Sequence, residues 1–178
     1  MPAYWGVNVF LRELVRIPRF SGWAQPFMDR FHDAGRYIVI LAIALFTLVM
    51  RRREASGARV DRYTTCAASA AIFLILAPGF GMQYSVFPIP LLMVAAPFFG
   101  LLYGTIAGVG LFFMYWLEWS GTLPLGSTIG SPDDAAPAVQ FGLLGWGTLI
   151  AFVWKIFRDP KQLKKEANLT PLPSGEPG

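Results

Sequence analysis

Tyr37-Ile-Val-Ile-Leu-Ala-Ile-Ala-Leu-Phe-Thr-Leu-Val-Met50 is an unbroken apolar run, preceded by Gly35-Arg36 and closed by Arg51-Arg-Arg53. A helix needs roughly 20 residues to cross a bilayer. Arg36 at one end and Arg51 at the other extend this shorter run by snorkelling. The stretch predicts a transmembrane helix over 35–50, and the rest of the chain repeats the pattern. Of 178 residues, 54% are hydrophobic and only 15% charged, with a mean hydropathy of +0.48. Soluble domains run to roughly 45–50% apolar and about 25% charged. The composition excludes a disordered chain and argues against an ordinary cytosolic enzyme. A single cysteine, Cys66, excludes an internal disulfide and a multi-cysteine metal site, and the lone His32 excludes a histidine-rich one.

Four further spans follow. Residues 63–77 are alanine-rich, with Ala67, Ala68, Ala70 and Ala71, and end at Pro78-Gly79; so thin a helix belongs inside a bundle. Val86 to Trp119 carries one charge, Glu118. As a single helix it would be about 51 Å long, against a hydrocarbon core of about 30 Å. Pro97-Phe-Phe-Gly100 therefore divides it into spans over 86–98 and 101–119. Pro88, Pro90 and Pro97 each remove a backbone donor and predict an irregular first half. The last span is 138–157, after a polar loop whose Ser131-Pro132-Asp133-Asp134 reads as its helix start. The tail 158–178, charged and then rich in Pro, Gly and Ser, reads as disordered. The expected fold is all-α: a polytopic integral membrane protein of about five transmembrane helices.

Charge sets the orientation. The fifteen Lys and Arg residues fall before the apolar run 37–50, between Arg51 and Arg62, and from Lys155 onward; none lies between Tyr63 and Trp154. The triple-arginine loop and the lysine tail share one side, which the positive-inside rule makes cytoplasmic. The N-terminus then lies outside, in what reads as a bacterial inner membrane. The net charge of +4 points to anionic lipid headgroups and not to nucleic acid. Within residues 1–33, Asn8, Arg12, Arg16 and Arg19 share one helical face opposite Val7, Phe10, Leu14 and Ile17. That pattern is an interfacial amphipathic helix.

The most informative segment is Ala77-Pro-Gly-Phe-Gly-Met-Gln-Tyr-Ser-Val-Phe-Pro-Ile-Pro90. Read from chemistry alone it is a tight turn with an interfacial tyrosine. It also resembles the PGFG-x-QY-x-x-W-x-x-P stretch near the end of bacterial GT-C-type membrane glycosyltransferases, the mannosyltransferase-like families that use polyprenol-phosphate sugars. Leu101–Trp116 is similar to their following span, and Tyr4-Trp5-Gly-Val-Asn-Val-Phe-Leu-Arg12 to the loop before their last helices; Phe87 stands where they often carry Trp or Leu. The resemblance implies sugar transfer from a lipid-phosphate donor on the outer face, with Gln83 and Tyr84 near the donor or acceptor path. It also implies that the catalytic acid lies on a first loop absent from these residues. The chain is then expected to be the C-terminal portion of such an enzyme, inactive alone, with the missing N-terminal half or a membrane partner beside it.

Other candidates are weaker. Arg12, Arg16 and Arg19 can pair bidentately with the phosphate of a lipid-linked sugar, although ordinary anionic headgroups are the plainer partner for a surface helix. Asp29, His32 and Asp33 fall at i, i+3 and i+4, so a helix sets them on one face where a divalent cation could bind; acidic residues near a helix start are the plainer account. No other cofactor is expected. Gly100, Gly104 and Gly108 form a doubled GxxxG that favours close helix packing, within the chain or between chains. The alternative function is a small non-catalytic membrane subunit or assembly partner held by that glycine ridge.

Overall fold

The computed structural model describes residues 7–57, 61–78, 82–120 and 136–158. Tyr4-Trp5, Gly79–Gly81, Asp133-Asp134 and the tail from 159 lie outside the described residues, as do the side chains of Asn8, Gln83, Glu118 and Ala138.

Every regular element among the described residues is helical. Helix α1, Val7–Arg16, stops at Ile17, whose backbone is extended (φ −87, ψ 115) because Pro18 disfavours a helical residue before it. Helix α2 then runs from Pro18 to Ala55. The apolar run 37–50 is thus the second half of a 38-residue helix, about 57 Å long. Arg19 lies in the first turn of α2, so the break at Ile17 separates it from Arg12 and Arg16. Gly57, in the left-handed region at φ +85, turns the chain after α2. Asp61 caps α3, Arg62–Leu76: its Oδ2 accepts from the Thr64 N–H at 2.7 Å and from the Thr64 hydroxyl at 2.8 Å.

A 3-10 turn, Met82–Val86, leads into α4, Pro88–Ala95. The first half of 86–119 is irregular as the prolines predict, with only eight residues of α-helix before a kink. Pro88 and Pro90 sit in the first turn of α4 and Pro97 opens α5, where a missing N–H breaks no helical bond. The chain kinks at Ala96 (φ −157, ψ 83), and α5 follows as Pro97–Ser120. Helix α6, Ala136–Arg158, is the last among the described residues.

Among the described residues, three helices are long and apolar enough to cross a membrane: Pro18–Ala55, Pro97–Trp116 and Gln140–Arg158. Arg62–Leu76 and Tyr84–Ala95 are apolar but shorter. At about 1.5 Å per residue, α3 reaches about 22 Å against a core of about 30 Å.

Helix α3 sits at the centre, against α2, α4 and α6, and α5 packs on α4 and α6. Its alanines Ala67, Ala68 and Ala71 are fully buried, joined in the core by Phe46, Met50, Leu92, Tyr103, Leu149 and Phe152. One end of the bundle is pinned by cations. The Arg53 guanidinium donates to the carbonyls of Ile156 and Phe157, both at 3.4 Å, and lies over the Phe157 ring. Lys155 lies over the Phe99 ring, 5.6 Å from its centre. The C-terminal ends of α2 and α6 and the start of α5 therefore share one end of the molecule.

Candidate functional site

The segment 77–90 is built between α3 and α5. At its near end the Trp146 Nε1 donates to the Ile75 carbonyl at 3.2 Å, satisfying one of the last carbonyls of α3. Pro78 lies against α2: a Cβ added at Gly35 would stand 2.7 Å from the Pro78 Cβ, so only glycine admits this approach. At its far end the Tyr103 hydroxyl, fully buried, donates to the Ser85 carbonyl at 2.8 Å. The Ser85 hydroxyl is buried and lacks a partner among the described residues. Tyr84 is 42% exposed and meets the exposed Phe87 edge to face, with centroids 5.3 Å apart. The turn is thus anchored on its inner side and presents an aromatic pair outward. Gln83 belongs to the same 3-10 turn.

The two arginines on α1 lie elsewhere. Leu11 is buried, and Phe10 stacks on Trp146 at 5.6 Å and 19°, which ties α1 to α6 as well as to α2. Trp146 therefore bridges the turn's α3 end and α1. Arg16 pairs with Glu13 at 2.9 Å, and Arg12 is half-buried. Sequence reasoning missed Trp146 and Tyr103; an indole or phenol inside an apolar span needs a buried acceptor, and that was the available signal.

Asp29, His32 and Asp33 all lie on the exposed surface of α2, where Asp29 accepts from Gln25 Nε2 at 3.0 Å. No group of three or more His, Cys, Asp or Glu residues able to hold a metal ion occurs among the described residues.

The glycine ridge of α5 divides in two. A Cβ at Gly100 would lie 2.6 Å from the Met93 backbone nitrogen, and one at Gly104 would meet Ile89 at 3.4 Å. These two glycines receive α4 of the same chain. Gly108 is exposed with nothing within 4 Å of an added Cβ, and Gly147 on α6 is similar. The α5–α6 contact is made instead by Gly110 against Phe141 and by the stacked rings of Phe113 and Phe141.

Comparison with family models, with curated proteins and with solved structures finds no match.

Proposed function

We propose that the chain is a membrane-embedded region of a lipid-linked glycosyltransferase, corresponding to the C-terminal part of a GT-C-type enzyme. In this reading α2 to α6 make five crossings of a bacterial inner membrane, with the N-terminus outside and the C-terminal tail cytoplasmic. The observation that carries the reading is Pro78-Gly-Phe-Gly-Met-Gln-Tyr-Ser-Val-Phe-Pro88, whose last residues form a turn held by Tyr103 with Tyr84 turned outward. The membrane setting draws support from the three span-length apolar helices and from large side chains left exposed on them, such as Ile40, Phe98 and Trp154. Gln83 and Tyr84 contact the sugar donor or its acceptor, and Arg12 and Arg16 attract the donor's phosphate. The catalytic carboxylate comes from another segment or subunit, and the chain is inactive alone. The test is transfer of labelled sugar from a polyprenyl-phosphate donor by membranes carrying Gln83→Ala or Tyr84→Ala. Both variants should lose transfer at unchanged protein level; normal transfer by both would remove the site assignment.

A second reading, a non-catalytic helical subunit, has its own support in Gly108 and Gly147, whose exposed surfaces leave room for a partner helix. Gly108→Leu should then release a co-purifying membrane protein, and unchanged co-purification would argue against it.

A further inference from the structure

Helix α2 is nearly twice as long as a bilayer core is thick, so the part before the apolar run, Pro18 to Arg36, is about 28 Å of surplus helix. That surplus has a distinct outer face. At about 100° per residue, Arg19, Trp23, Phe27 and Arg30 fall within one arc of about 80°. Tyr37 and Leu41 continue the same arc into the apolar run. Trp23 is 52% exposed and Phe27 50%, while the adjoining face of Ala24, Phe31 and Gly35 is buried, with Phe27 stacked on Phe31 at 6.3 Å. Arg19 and Arg30 are exposed, and neither has a carboxylate within 4 Å among the described residues. Asp29 and Asp33 lie on the flank, outside the arc. Pro26 stands within this stretch, where its missing N–H leaves the helix free to bend.

We infer that this face of α2 is an anionic-lipid docking surface, with Trp23 and Phe27 at the boundary between headgroups and acyl chains and Arg19 and Arg30 on lipid phosphates. Three features select that occupant. The face is continuous with the apolar arc that reaches into the membrane, its aromatics are the interfacial kind, and its two cations have no carboxylate within 4 Å among the described residues while guanidinium groups pair bidentately with phosphate. Each arginine near an anionic surface favours docking about 5-fold. The inference rests on the membrane reading and not on sugar transfer.

The test uses the full chain with Cys66→Ser, reconstituted in phosphatidylcholine vesicles with or without phosphatidylglycerol. Nitroxide labels are placed at Phe27→Cys and, on the other side of the helix, at the exposed His32→Cys. Accessibility to oxygen and to a water-soluble nickel complex is read by spin resonance. With phosphatidylglycerol present, the label at 27 should favour oxygen and the label at 32 the nickel complex. The docked-to-undocked ratio at 27 should fall about 5-fold in Arg19→Gln or Arg30→Gln, and further in phosphatidylcholine alone. A label at 27 that stays in water overturns the inference. So does a label shielded from both reagents, which marks protein contact, or one whose depth ignores phosphatidylglycerol and both arginines. Sugar transfer is not read, so failure here leaves the glycosyltransferase reading to its own test.

Discussion

Replacing Gly100 by alanine tests the packing that shapes the turn. The added Cβ would stand 2.6 Å from the Met93 nitrogen and 2.7 Å from its Cα. Both are backbone atoms of α4, so no side-chain rotation relieves them. Reaching an ordinary separation of roughly 3.5–4.0 Å requires α4 and α5 to part by about 1 Å. The same shift lengthens the 2.8 Å bond from Tyr103 to the Ser85 carbonyl beyond hydrogen-bonding distance. Overpacking of this kind costs about 1–3 kcal/mol, and the lost bond about 1 kcal/mol more. For a chain of this size the sum corresponds to a fall of roughly 5–15 °C in melting temperature. Gly108→Ala supplies the comparison, since its Cβ meets nothing within 4 Å. Alanine is favoured over glycine in a helix by about 0.5–1 kcal/mol, so this variant should melt at or above the parent temperature. The assay is thermal unfolding of the full chain in detergent micelles. If the two variants melt together, the antiparallel seating of α4 on Gly100 is wrong.

Three further outcomes follow from particular contacts. Asp61→Ala removes the cap of α3 and should cost about 0.5–2 kcal/mol, with Asp61→Asn recovering most of it; equal melting of Ala and Asn variants would show that the cap is not formed. Trp146→Phe keeps a ring against Phe10 but leaves the Ile75 carbonyl without its donor, a loss of about 1 kcal/mol; unchanged unfolding would remove Trp146 as the bridge to α3. A reporter fused after Arg53 should be cytoplasmic and one after Trp119 external, and the reverse result would invert the proposed topology.

Much of the architecture was legible because backbone chemistry announces itself. Pro97 cannot donate and disfavours a helical residue before it, so the division between α4 and α5 could be read at Pro97, and the kink falls at Ala96. The alanines of α3 carry too little surface for any place but the bundle centre. The length of α2 was not legible. Pro26 and the charges between Asp29 and Arg36 interrupt the apolar pattern, yet the buried Ala24 and Phe31 hold those turns in one helix with the apolar run. The irregularity expected from the prolines is present, but Pro88 and Pro90 sit in the first turn of α4 and the kink falls before Pro97. At the candidate site, Tyr84 could be picked out as a polar-tipped ring beside a turn. Tyr103 and Trp146 could be picked out only as polar-tipped rings in need of an acceptor, not as anchors of this turn, because their partners are backbone carbonyls 18 and 71 residues away in sequence.

The measurement closest to the central claim is the pool of polyprenyl-phosphate sugars, read by mass spectrometry of lipid extracts from cells with and without this chain. Loss of the chain should make one such donor accumulate, and restoring it, but not the Tyr84→Ala form, should return the pool to its starting level. Donor pools that do not change when the chain is removed would contradict a role in lipid-linked sugar transfer.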